Sequence, residues 1–251
     1  MMEPEDQQRW ERMLALEARG QRREALDVAE ALAASLSRYP AEWRDRWVAW
    51  VCEEAIDRNP VPPEVGIPQL RYPLLRDLVF PVLKQRYASR DATAARWFAW
   101  LMRRYSNAVR LWQQLPEEAQ SSFAMLRKAD EWSPGDMRVM VPLAEHLVDW
   151  FHHAMHELPM GVLYGMNGAS TAQCAEMLEE LEYLEGLVRR LGREERYARV
   201  LEYWKRQVRC YGAYLSQSEI TPYEAYLDRY FPDWRTHRQG ASDVAGRTSA
   251  C

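Results

Sequence analysis

Apolar residues recur every three or four positions through most of the 251-residue chain, which is the spacing of amphipathic helices. Early helices are predicted over about 4–18, 21–38 and 41–58, and the most regular pair over about 174–191 and 197–215. No segment alternates apolar and polar residues between turn signals, as the strands of a sheet do. The pattern therefore predicts an all-α fold, either a helical-hairpin array or an irregular bundle of about nine to ten helices.

Prolines and capping residues predict where the middle helices begin, bend and end. A helix from Pro73 to about Tyr87 is expected to bend at Pro81, where the proline ring interrupts the hydrogen-bond ladder. Asp91 is expected to cap the next helix, and Pro116 to begin one that ends near Trp132.

Charge is distributed unevenly along the two late helices. The first begins with several glutamates, and the second ends with Lys205, Arg206 and Arg209. In an antiparallel hairpin these ends lie side by side, so we expect ion pairs that fix the register of the two helices.

Five of the fourteen prolines lie between residues 60 and 73. Proline fixes φ and removes a backbone donor, so this stretch is expected to be an extended, stiff connection. The predicted organisation is an N-terminal part over 1–59, a connection over 60–73, a main helical domain over 74–235, and a disordered tail over 236–251.

Three tryptophans, Trp43, Trp47 and Trp50, lie on one side of the third helix. Large aromatic side chains are costly to leave in water, so they belong to a core or to a binding surface. Core packing against the first helical hairpin is the expected use, and a ridge that contacts a partner is the alternative.

The segment LEARGQRREALDVAEALAASLSRYP has Gly20 at a turn between two helices, Ala25 and Leu26 early in the second helix, and Pro40 after it. In these positions it resembles one tetratricopeptide repeat, over about 35 residues. It departs from the repeat pattern at Ala29, where a large aromatic residue is expected, and in the late final proline. No second copy follows at the period of roughly 34 residues that a repeat array requires. The resemblance implies a helical-hairpin protein that binds another chain, and the alternative is an ordinary amphipathic hairpin.

Composition and charge limit the classes of partner. A net charge of −4 and a pI near 5.8 provide no basic surface for nucleic acid, and the acidic balance suits a basic protein partner. No apolar run approaches the roughly 20 residues of a membrane span, and the first residues lack the regions of a signal peptide. The four cysteines have no metal-ligand spacing, so a reducing, cytoplasmic setting is expected, with unpaired thiols.

Four of the five histidines fall in one predicted helix, residues 136–158. On a helical wheel its apolar half comprises Leu143, Leu147, Trp150, Phe151, Ala154, Met155 and Leu158. Its polar half comprises Glu145, His146, Asp149, His152, His153, His156 and Glu157, with no Lys or Arg from 145 to 157.

The polar half of this helix has three interpretations. His146, Asp149, His153 and His156 have the residue types that bind zinc, iron or manganese, so a metal-dependent helical-bundle enzyme is one hypothesis. No second helix offers a Glu-x-x-His pair, and the HExxH motif is absent. In the second interpretation, the polar half is a pH-responsive docking face. Its charge would change from about −3 to +1 when imidazoles with an ordinary pKa of about 6.5 are protonated. The third interpretation is a solvated polar face.

Three glycines follow this helix, at 161, 165 and 168. The spacing is not a Walker or Rossmann signature, because it lacks Lys-Ser/Thr and follows a helix where a strand is required. Gly165, Gly168, Ser170 and Thr171 are nevertheless candidates to present backbone amides to an anion at the start of the next helix. The alternative is a long connection of the Ω-loop kind.

No complete catalytic or cofactor constellation is present, and no Ser or Cys lies in a nucleophile motif such as GxSxG. The leading hypothesis is therefore a cytoplasmic, non-enzymatic protein without a cofactor that binds another protein. An immunity or antitoxin-type inhibitor and an adaptor are the forms considered, and the metal-dependent enzyme is the alternative.

Overall fold

A computed structural model describes residues 2–58, 70–157, 170–217 and 222–232. Regular structure in these ranges is helical and includes no strand, so the predicted all-α fold is confirmed. The α-helices within them are α1 (Pro4–Ala18), α2 (Arg22–Leu36), α3 (Ala41–Cys52), α4 (Tyr72–Leu74), α5 (Phe80–Ala88), α6 (Ala92–Arg104), α7 (Val109–Trp112), α8 (Ser122–Trp132), α9 (Met137–Glu157), α10 (Thr171–Arg190), α11 (Glu194–Leu215) and α12 (Tyr223–Tyr230).

The chain forms two compact units, Met1–Pro134 and Gly135–Cys251. The division follows a break between α8 and α9, where Gly135 adopts a φ of +102° that L side chains rarely adopt. It differs from the division expected at 60–73, because helix α2 contacts α4 and the helical segment after it, on the far side of that stretch. Residues 60–69 of the Pro-rich connection, and the whole of the predicted tail over 236–251, lie outside the described residues.

The first hairpin of the N-terminal unit is closed by small side chains. Helices α1 and α2 pack together after a turn at Gly20, whose φ is +74°. Ala25, Ala29 and Ala33 are fully buried at four-residue spacing, which allows the two helices to approach closely. Ala29 therefore has a packing role at the position where the tetratricopeptide pattern expects a large aromatic residue.

A buried carboxylate joins the start of α1 to the end of α2. Asp6 is 2% exposed and accepts hydrogen bonds from Ser35 Oγ at 3.0 Å, from the Tyr39 hydroxyl at 2.9 Å and from Arg9 Nη1 at 2.8 Å. A buried charge is tolerated when it is paired and hydrogen-bonded, as this one is. These bonds hold the two ends of the hairpin together.

The tryptophan stripe of α3 packs on the first hairpin. The ring of Trp47, which is buried, lies edge-on to Trp10 of α1 with 5.7 Å between centroids. Trp43 stacks on Trp47 at 6.3 Å, and Trp50 lies 6.1 Å from Trp10. Trp43 is half-buried and Trp50 is 44% exposed, so the stripe packs on the hairpin mainly through Trp47.

An ion pair secures the continuation of α3 against α6. Residues Glu53–Arg58 extend α3 as a π-helical segment, and Asp57 lies within it. Arg96, 5% exposed, donates to both carboxylate oxygens of Asp57, with Nη2 2.9 Å from Oδ2. The indole Nε1 of Trp97 donates to the same Oδ2 at 3.2 Å. The cost of removing these charges from water is offset only by such bidentate pairing, so the contact fixes the relative placement of the two segments.

The expected interruption near Pro81 takes the form of a change in helix type. Leu75–Val79 form a π-helical segment, and Pro81 lies in the first turn of α5. Proline lacks the amide that bonds four residues back, and the wider turn before it accommodates the ring. Asp91 caps α6 as predicted, because its carboxylate accepts from the Thr93 and Ala94 amides at 2.8 and 3.3 Å.

The prediction of one helix from Pro116 to Trp132 is wrong in its first part. Pro116 precedes a single 3-10 turn, Glu117–Ala119, and helix α8 begins only at Ser122. Ser121 has extended backbone angles and its hydroxyl accepts from the Ala124 amide at 3.1 Å. A serine that caps in this way defines a new helix start, which the proline signal alone did not indicate.

The C-terminal unit is built on the hairpin of α10 and α11. The chain turns at Gly192, with a φ of +63°, and α9 and α12 both contact this hairpin. Lys205 Nζ of α11 lies 3.0 Å from Glu185 Oε2 of α10, an ion pair of the kind that the charge pattern predicts. The Tyr223 hydroxyl of α12 donates to the Gln207 carbonyl of α11 at 3.4 Å.

Among the described helices of the whole chain, none combines the length and apolar character of a membrane crossing.

We expect the cap of α6 to contribute measurably to stability. Asp91→Ala removes two capping bonds and the 2.6 Å pair with Arg86, and should lower the free energy of unfolding by about 1 kcal/mol in urea denaturation. Asp91→Asn retains the capping oxygen and should lose less than half as much. Equal losses for the two variants would contradict the assignment of this stability to the cap.

Candidate functional site

The orientation of α9 is set by its apolar side. Leu143, Leu147 and Phe151 are buried, together with Ala144, Val148, Ala154 and Met155. The Phe151 ring stacks on Trp204 of α11 with 5.6 Å between centroids and 25° between planes. At the start of the helix, the Asp136 carboxylate accepts from the Arg138 amide at 2.9 Å. The predicted apolar half is therefore the buried half, apart from Trp150, which is half-buried, and Leu158, which lies outside the described residues.

The opposite side of α9 is open to solvent. Its exposed residues are Glu145, His146, Asp149, His152 and His153, which we call the acid–imidazole face. His152 and His153 are neighbours, with ring centroids 6.2 Å apart. His156 belongs to the same helix, but its side chain is outside the described residues. The structure thus brings five of the six predicted binding residues together on one helical surface.

The acid–imidazole face has more negative than positive side chains, and this excess is already present in the sequence of α9. The one cation of this helix, Arg138, forms an ion pair with Asp136 at 3.0 Å, one turn or more before the face begins. From 139 to 157 the helix contains no Lys or Arg. At a pH where the imidazoles are neutral, Glu145 and Asp149 give this surface a negative charge, which suits a cationic group on a partner.

The candidate metal ligands do not form a recognisable site among the described residues. His146, Asp149 and His153 project from one helix and are exposed, and no group of three or more His, Cys, Asp or Glu side chains in the described part of the chain has the arrangement of a metal site. A single helix rarely supplies a closed coordination sphere, since most sites draw ligands from several segments. The metal hypothesis for His146, Asp149, His153 and His156 stays a prediction.

The described thiols are poorly suited to nucleophilic chemistry. Cys52, Cys174 and Cys210 are buried and form no disulfide. Burial raises the pKa of the Cys210 thiol to about 11 and also raises the pKa of Cys52 and Cys174. Thiols with raised pKa values stay protonated at neutral pH, whereas the thiolate is the nucleophile.

Only part of the predicted anion site lies within the described residues. Gly165 and Gly168 are outside them. Ser170 is the cap of α10, because its hydroxyl accepts from the Gln173 amide at 3.2 Å and donates to Gln173 Oε1 at 3.0 Å. Thr171, the first residue of that helix, is exposed. The Ser170 hydroxyl is thus engaged in capping, and anion binding at this loop stays a prediction.

An open cleft of about 440 Å³ on the N-terminal unit was not predicted. It is lined by residues of α6, α7 and the segment leading into α8. A signal for it exists in the sequence, because residues 92–116 contain four arginines and no Asp or Glu. An acid-free stretch of 25 residues is unusual in a chain with 37 acidic residues, and it leaves Arg103 and Arg110 exposed, whereas Arg96 is buried against Asp57.

Comparison with protein-family models, with curated protein sequences and with solved structures finds no match for this chain.

We expect the imidazoles of the acid–imidazole face to react as exposed groups. Diethyl pyrocarbonate should modify His146, His152 and His153 in the folded protein, because all three residues are exposed. Peptide mass spectrometry over a time course gives the rate at each site. Strong protection of any of the three in the free protein would contradict an open face.

Proposed function

We propose that this chain is a non-enzymatic protein that acts by binding another, basic protein, and that the acid–imidazole face of α9 is its docking surface. The observation that carries the proposal is the exposure of Glu145, His146, Asp149, His152 and His153 on one side of a helix whose other side is buried. Polar side chains grouped in this way offer several hydrogen-bond acceptors and donors to a partner without any rearrangement of the helix.

A half-buried aromatic residue beside the face supports the proposal. Trp150 follows Asp149 directly, and its ring lies 4.6 Å from that of Phe151, which is fixed in the core. Exposed ion pairs alone contribute only about 0.2–1 kcal/mol each, which is little for specific binding. Tryptophan is among the residues that most often dominate interface energies, so Trp150 beside the charged side chains supplies the apolar anchor.

The N-terminal hairpin is a further element of the proposal. Its resemblance to a single tetratricopeptide repeat implies a binding protein, and α1 and α2 do pair about Gly20. We take the chain to be an adaptor or an immunity or antitoxin-type inhibitor. A cytoplasmic setting suits the three free thiols of the described residues.

Charge reversal tests the docking surface. We expect Glu145→Lys with Asp149→Lys to weaken binding of the native partner about tenfold or more, because two attractive contacts become repulsive. The partner is first captured with the unaltered chain from the cells that encode it, and its affinity for each purified variant is then measured by biolayer interferometry.

The matched control changes the same charge elsewhere in the same unit. Glu179→Lys with Glu182→Lys alters two exposed glutamates of α10 and should leave the affinity unchanged. Raising the salt concentration should weaken binding of the unaltered chain more than that of the Glu145/Asp149 variant. A Glu145/Asp149 variant that binds the partner as the control variant does would overturn the assignment to this face.

A further inference from the structure

The cleft of the N-terminal unit has an apolar floor and a polar rim. Met102 of α6 and Trp112 of α7 are each 6% exposed and line the cleft beside Val109, which is 52% exposed. The indole N–H of Trp112 donates to the Tyr105 carbonyl at 2.9 Å, so the ring offers a ligand apolar contact only. The polar lining consists of Arg103, Ser106, Gln113, Gln120 and Ser122.

The one charged side chain that lines this cleft is an arginine. Arg103 is exposed and has no hydrogen-bond or ion-pair partner among the described residues. Its chain neighbours from 92 to 116 include no Asp or Glu that could neutralise it locally. A guanidinium in this setting favours a carboxylate, which it can bind through two parallel N–H groups.

The shape of the cleft distinguishes an extended ligand from a compact one. Small-molecule sites enclose most of the ligand surface, whereas Arg103, Ser106, Val109 and Gln113 on this rim are all exposed. Gln113 and Gln120 carry amide groups of the kind that pair with peptide N–H and C=O. One N–H of Gln120 already donates to the Leu115 carbonyl at 2.9 Å, and its side-chain oxygen is an acceptor for a peptide amide.

The geometry points to this cleft as a docking site for an acidic peptide segment of another protein. A carboxylate of the peptide pairs with Arg103, a neighbouring apolar side chain contacts Met102 and Trp112, and the glutamine amides bond the peptide backbone. The site lies in the unit Met1–Pro134, and its charge preference is opposite to that of the acid–imidazole face. Its test is therefore independent of the proposed function.

Fluorescence anisotropy with defined peptides tests the charge preference. The probes are a fluorescein-labelled octapeptide of alternating leucine and glutamate, and the same octapeptide with glutamine for glutamate. The full chain should bind the glutamate peptide about tenfold more tightly than the glutamine peptide, because only the carboxylate makes a charge-assisted pair. Equal affinities, or no binding of the glutamate peptide, would overturn the proposal.

Variants of the full chain assign the preference to one residue. Arg103→Gln should weaken binding of the glutamate peptide about fivefold, and Arg103→Lys should weaken it less because the charge is kept. Arg46→Gln removes an arginine of α3 that is also exposed, and it should leave the affinity unchanged. Melting temperatures of the three variants check that each is folded. If Arg103→Gln and Arg46→Gln bind alike, the site is not at Arg103.

Methyl NMR places the peptide on the structure. In protein labelled at the methionine methyl groups, the Met102 signal, identified with Met102→Leu, should shift on addition of the glutamate peptide. An unmoved Met102 signal would contradict the proposed site. A labelled thymidine octanucleotide that binds more tightly than the peptide would assign the cleft to phosphate recognition and would overturn the proposal.

Discussion

The burial of the apolar side of α9 determines which side chains of this helix are exposed and can contact a partner. Each large apolar side chain that leaves water stabilises the fold by about 1.5–3 kcal/mol, and Leu143, Leu147 and Phe151 are all buried. The exposed polar side chains on the other side contribute far less individually. The apolar residues therefore fix the rotation of the helix, and the acid–imidazole face is exposed as a consequence. A surface presented in this way is available for contact without a conformational change.

In the N-terminal unit, apolar side chains are likewise buried and most charged side chains stay at the surface, but the resulting surface has the opposite charge. Its helices bury aromatic residues such as Trp47 and Trp97, and the buried charges of Asp6 and of the Asp57–Arg96 contact are hydrogen-bonded and ion-paired. Charges that the core does not use remain at the surface, and Arg103 is one of them. The two units thus present surfaces of opposite character, an acidic one on α9 and a basic one beside α6.

The helical architecture and much of the α9 face could be predicted from the sequence, because both depend on residue spacing along single helices. The Asp91 cap was predictable for the same reason, since a cap involves only its next three residues. The start of α8 after its cap Ser121 was missed because proline and serine both favour a helix N-terminus, and local signals do not say which one the packing selects. The π-helical segment that contains Asp57 was not predicted, because the contact of Asp57 with Arg96 of α6 joins residues far apart in the sequence. The cleft is lined by residues of α6, α7 and the segment leading into α8, and the sequence does not reveal that these elements lie together. Only the absence of Asp and Glu from residues 92–116 was visible in the sequence.

We infer that the polar side of α9 is an open contact surface on a single helix and not a reactive centre assembled from several segments. Elemental analysis of the purified full chain, prepared without chelators, distinguishes the two. We expect far less than one transition-metal ion per chain, and no change in metal content for His146→Ala with His153→Ala. A stoichiometric metal ion that this double variant loses would contradict it, because such an ion requires further ligands to converge on the face.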